Sequence, residues 1–222
     1  IVGGIMPLVP GVAITNAVRD VLQGDFISAC ARMVEAFMIA AAVAVGVGAG
    51  IFFGQKVGFA PETIGFITNI TRSGFVGYAV GFVAAAFSIV GFSFILEVPK
   101  KFIVASAFTA AIGWTANLFG FYNGMGDVWG AFLGALLAEL LAYIFARALK
   151  APETIFLICG IIPLVPGAGI YRAVYYLISG DPLASSALNL TLMVAGAIAL
   201  GLITMYTVLD MLRKGVMKIK RK

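Results

Sequence analysis

The sequence predicts an all-α membrane protein, a polytopic bundle of transmembrane helices with an inverted-topology repeat and helices broken by proline and glycine. Three observations lead there. Hydrophobic residues make up 62% of the 222 and charged residues 11%, with a mean hydropathy of +1.07, too little polar surface to solvate a soluble globule. Stretches such as 78–95 and 187–209 carry no formal charge over the roughly 20 residues that cross about 30 Å of hydrocarbon at about 1.5 Å per residue. A Pro-Leu-Val-Pro-Gly motif occurs twice.

The segments do not alternate apolar and polar residues as a strand barrel would, so the spans are read as helices. The 27 glycines and 8 prolines then mark close helix packing and helix breaks rather than surface loops. Hydropathy places seven spans at about 1–22, 28–53, 75–95, 102–120, 128–149, 155–178 and 187–209. Gly24-Asp25, Pro99-Lys100-Lys101, the 123–127 stretch and Gly180-Asp181-Pro182 separate neighbours. The connection at 55–74 divides the chain into an N-terminal part, 1–54, and a C-terminal part, 75–222, that ends in a basic tail. Because the first residue is Ile1, the chain is read as a fragment or processed piece.

Counting lysines and arginines by side puts twelve on one face and three on the other, Lys56, Arg72 and Arg172. The positive-inside rule turns the twelve, and the C-terminus, toward the cytoplasm. The tail at 213–222 is expected to anchor the last helix on anionic lipid rather than bind nucleic acid. No histidine is present, Cys30 and Cys159 lie in apolar surroundings, and neither a phosphate loop nor a nucleophile elbow occurs. These features point away from a metal site, a cofactor or an enzyme.

Laying 4–25 over 160–181, an offset of 156, gives twelve identities in 22 positions. The copies lie five spans apart, so they enter the membrane from opposite sides, the arrangement of an inverted repeat. Pro7, Pro10 and Gly11, and their counterparts Pro163, Pro166 and Gly167, are expected to break both helices, because proline donates no backbone hydrogen bond and glycine admits unusual backbone angles. Free carbonyls at a break can hold an ammonium, and the half-helix N-terminus beyond it faces an anion, so a zwitterion suits the pair. After the breaks, Thr15, Asn16, Arg19 and Asp20 fall on one face of the first span, and their counterparts Tyr171, Arg172, Tyr175 and Tyr176 on the same face of the sixth. That face is either a pathway lining or helix-end caps and an aromatic belt.

Two acidic residues fall within spans. Glu139 lies near mid-bilayer and is the first candidate for a proton carrier. Glu35, the second candidate for proton coupling, shares a helix face with Arg32, either as a structural ion pair or as a contact for a substrate ammonium. Trp114, Asn117, Asn189 and Thr191 are weaker candidates, since polar residues in spans often only join helices.

The chain resembles the threonine/serine exporter (ThrE) family, including its two-gene YjjP/YjjB form. Pro10-Gly11-Val12-Ala13-Ile14-Thr15-Asn16-Ala17-Val18-Arg19-Asp20, Gly24-Asp25 and the Arg32–Glu35 helix are similar to the end of a YjjP-type half. Val98-Pro99-Lys100-Lys101, Gly113-Trp114 and the 162–171 segment, within about 76–210, are similar to a complete YjjB-type half. The resemblance implies ten spans as five plus five, a cytoplasmic region ahead of them, and export of threonine and serine, or of succinate in the two-gene form. It implies an antiporter of the cell inner membrane. Only two spans precede the 55–74 connection here, which leaves the remaining first-half helices to the same or a partner chain. A homo-oligomer stays open, as does a structural or channel-like subunit.

Overall fold

The computed structural model describes residues 13, 16, 17, 20, 25–56 and 74–219. Among the described residues seven helices have both ends placed, in order: α1 Phe26–Lys56, α2 Gly74–Ile95, α3 Lys100–Tyr122, α4 Gly126–Ala148, α5 Glu153–Ile161, α6 Gly167–Ser179 and α7 Ala184–Ile219. No strand occurs among the described residues. Five of the helices, α1 to α4 and α7, are long and apolar enough to cross a membrane. The sixth expected span is present as two shorter helices, α5 and α6. The first lies outside the described residues except at Ala13, Asn16, Ala17 and Asp20, as does most of the 55–74 connection. The protein is therefore a multi-pass membrane bundle. Its last helix runs to Ile219, beyond the expected 209, because hydropathy sees only the part of a helix that lies in hydrocarbon.

The helices fall into two compact units, one drawn from Ile1–Ile70 and Val165–Gly196, the other from Thr71–Leu164 and Ala197–Lys222. In the second unit, α3 packs against α2, α4 and α5. Glycine is needed where backbones meet. A Cβ on Gly134 of α4 would lie 2.7 Å from the Gly113 carbonyl oxygen of α3, and one on Gly120 would lie 2.5 Å from Cα of Gly130. In lipid there is little hydrophobic force between helices, so this closeness and its dispersion contacts hold the bundle. Buried Ser93 and Thr109 donate to carbonyls one turn back, Ile89 and Ala105, and so bring no unsatisfied hydroxyl into the core.

Two turns in this unit share one construction. Glu97 and Lys150 adopt left-handed φ of 53° and 50°. Val98 then donates its N–H to the Ser93 carbonyl at 2.9 Å, and Ala151 donates to that of Ala146 at 3.0 Å. Pro99 and Pro152 start the next helices. This is the Schellman ending with a proline stop, built on charged residues where glycine is usual.

The first unit gathers the segments that follow the repeat motif. Ala36 of α1, Ile170 and Val174 of α6 and Ala195 of α7 form a buried cluster, with Ala13 and Tyr171 packed against it. Both copies end alike. Asp25 donates its N–H to the Asp20 carbonyl at 2.9 Å, and Asp181 donates to that of Tyr176 at 2.9 Å, residues that correspond at the repeat offset. Each aspartate then caps the helix that follows. Asp25 accepts from the Ser28 N–H at 3.1 Å, and Asp181 accepts from the Leu183 N–H at 2.9 Å.

Candidate functional site

The second copy of the motif breaks its helix as expected. Helix α5 ends at Ile161 and α6 begins at Gly167. Pro163 and Pro166 deprive the carbonyls four residues earlier, Cys159 and Ile162, of their usual donors. In the gap, Leu164 donates to the Ile161 carbonyl at 2.9 Å and Gly167 to that of Val165 at 2.7 Å; Gly169 and Ile170 both donate to that of Pro166. Leu164, Val165 and Gly167 are buried, whereas Pro163 and Pro166 are half-buried. The first copy's Pro7, Pro10, Gly11, Thr15 and Arg19 lie outside the described residues.

Beyond the break the two faces of α6 differ sharply. Ile170, Ala173 and Val174, all identical to their repeat counterparts, are buried. Arg172 and Tyr175 are exposed, while Tyr171 and Tyr176 are half-buried. Tyr171 and Tyr175, one turn apart, stack at 6.2 Å between centroids. In the first copy, Ala17 is fully buried and Asn16 half-buried, the same division.

The charged candidates separate. Arg32 binds not its helix neighbour Glu35 but Asp20, Nε to Oδ2 at 2.9 Å. A partner across a helix turn is invisible to spacing along one helix. Glu35 is exposed on α1. Glu139 is 3% exposed on α4, among Ala135, Ala138 and Ala142, all at 0%. One turn earlier, α7 comes so near that a Cβ on Gly201 would lie 2.9 Å from that of Ala135. Asn117 packs on Gly130 and the Trp114 ring on Gly81, contacts that join helices. Thr191 donates to the Ala187 carbonyl and packs on Gly169, in the first turn after the break.

Sequence reasoning missed a cavity of about 380 Å³ in the first unit, lined by Phe37 of α1, by Ala173, Val174 and Leu177 of α6, and by the turn and start of α7 from Asp181 to Leu188. It lies on the packing face of α6, which carries no polar signal in sequence.

Residues 81–208 match the family model described as "Threonine/Serine exporter, ThrE", and residues 1–54 match one described as "Putative threonine/serine exporter". The chain belongs to the threonine/serine exporter family. The threonine/serine exporter of Corynebacterium glutamicum is 27% identical over 176 residues, 79% of this chain and 35% of the relative. The probable threonine/serine exporter of Mycobacterium tuberculosis is 24% identical over 200 residues, 89% of this chain and 38% of the relative. The exporter-family chain thus spans a little over a third of these relatives. No solved structure matches it.

Proposed function

We propose that this chain is part of a secondary transporter that exports small amino acids, threonine and serine, by proton-coupled alternating access. The observation that carries the reading is the helix break at 162–166 in a chain of exporter-family sequence, and the span count, which would bring the two motif copies in from opposite sides, supports it. Carbonyls freed near Pro163 and Pro166 suit an ammonium, and the Gly167 end of α6 suits a carboxylate. The first copy, through Pro7, Pro10 and Gly11, supplies the same groups from the other side, with Thr15, Asn16, Arg19, Asp20, Glu35, Tyr171 and Arg172 along the pathway. Glu139 carries the proton, since an ionisable group buried within a span is costly and is retained for function. The twelve-cation face and the C-terminus lie in the cytoplasm.

Counterflow tests the reading. Proteoliposomes made with the intact protein, preloaded with unlabelled solute, are expected to accumulate labelled threonine and serine. Accumulation of labelled succinate alone would replace the amino acid with a dicarboxylate, and accumulation of none would reduce the chain to a structural subunit.

A further inference from the structure

We infer that the cavity between α1, α6 and α7 is an outer vestibule that binds small aliphatic amino acids, with Asp181 taking the ammonium and the apolar wall taking the side chain; the inference rests on the exporter reading. The volume, about 380 Å³, is ample for an amino acid of this size and small for a peptide. The lining is chemically divided. Phe37, Val174, Leu177 and Leu188 supply branched or aromatic surface, while the side-chain polar groups are those of Asp181 and Ser185 at the α6–α7 turn. An anion finds no cationic side chain in that lining, whereas an ammonium finds a carboxylate held by its bond from the Leu183 N–H.

The repeat supports a role in access. By the cation count, the α6–α7 turn faces away from the cytoplasm and the matching Asp20–Asp25 turn faces toward it. Leu188, which lines the cavity, corresponds at the repeat offset to Arg32, which is bound to Asp20. Thus the outer end has an apolar residue of the cavity wall at a position where the inner end has a charged, paired one.

The side-chain wall predicts a ranking. One extra buried methyl group is worth about 0.8 kcal/mol, about fourfold in affinity, so threonine is expected to bind about fourfold more tightly than serine, and valine at least as tightly as threonine. Equilibrium binding of labelled threonine to the full chain in nanodiscs, with competition by serine, valine, isobutylamine and isovalerate, tests it. Isobutylamine is expected to compete and isovalerate not. Asp181→Asn keeps the cap on α7 and is expected to weaken threonine and isobutylamine by about tenfold, the scale of one charge-assisted hydrogen bond. Ala184→Leu, which shrinks the cavity, is expected to weaken valine more than serine. Equal competition by isovalerate would mean that the space takes any alkyl chain, lipid included, and would overturn the inference. So would threonine binding that neither substitution changes, which leaves the exporter reading standing. Absence of amino-acid binding together with absent counterflow would remove both.

Discussion

Asp20 and Arg32 meet at 2.9 Å across the turn between the first repeat segment and α1, with the carboxylate 16% and the guanidinium 46% exposed. A pair this open contributes about 1 kcal/mol or less. Its importance is positional, because the second copy places uncharged Tyr176 and Leu188 at the corresponding positions. Arg32→Ala is therefore expected to lower the thermal midpoint only slightly while raising the reactivity of the exposed Cys30 on the same helix toward a water-soluble maleimide. The charge-reversed pair Asp20→Arg with Arg32→Asp should restore low reactivity. Failure of the reversed pair to restore it would assign the effect to packing by the Arg32 stem.

Asp25 gives a pH signature. The Ser28 hydroxyl and backbone N–H both donate to its carboxylate and hold its pKa below the usual 3.8. A depressed folded pKa contributes stability that is fully present above the unfolded value and is lost as pH falls through the folded one. The gap in thermal midpoint between wild type and Asp25→Ala is thus expected to stay constant from about pH 7 to 5 and to narrow below about pH 4. A gap that narrows already near neutral pH would point to another titrating group.

The glycine contacts predict opposite signs for one substitution. Gly134→Ala drives a methyl to within 2.7 Å of the Gly113 carbonyl oxygen, and backbone offers no easy retreat. It is expected to cost about 1–3 kcal/mol, the range for overpacking. Gly91→Ala on α2 meets nothing within 4 Å and should be neutral or stabilising by up to about 1 kcal/mol through helix propensity. Thermal unfolding in detergent measures both.

The contrast between these glycines shows what the sequence could tell. Composition and charge-free length make the helices legible, and the proline chemistry of Pro163 and Pro166 is local enough to locate the break between α5 and α6. What sequence spacing cannot carry is a partner on another element, so the spacing of Arg32 and Glu35 gave no sign of the Asp20 pair. Nor does an empty space leave a sequence signal. The cavity beside Ala173 and Val174 arises where side chains are missing, on a face that reads as ordinary packing. Glu97 and Lys150 hid their turns for a related reason, since charged residues do not announce a left-handed backbone as glycine does.

Those two turns yield a stabilising prediction. A left-handed φ costs a residue with a Cβ roughly 1 kcal/mol, and glycine avoids it. Glu97→Gly and Lys150→Gly are each expected to raise stability by up to about 1 kcal/mol, additively, because the turns are built independently. Gly180, at φ 69° in the corresponding position before Asp181, should show the converse, with Gly180→Ala destabilising. Lower stability in both glycine variants would show that the Glu97 and Lys150 side chains make contacts that outweigh the backbone strain.

Glu139 separates transport from binding. It is buried on the α4 face that carries Ala135, Ala138 and Ala142, and a carboxylic acid there can bind or release a proton, whereas an amide of the same shape cannot. Glu139→Gln should therefore preserve the helix contacts, leave threonine counterflow within about twofold, and reduce uphill export driven by a pH gradient by at least about tenfold, the usual scale for losing a positioned proton-transfer group. Counterflow and gradient-driven export measured in the same vesicles make the comparison internal. Glu139→Ala serves as the packing control, because it removes volume as well as the proton and is expected to impair both activities. Gradient-driven export unaltered in Glu139→Gln would leave Glu139 a purely structural acid and move the coupling proton elsewhere, with the exposed Glu35 on α1 the next residue to substitute.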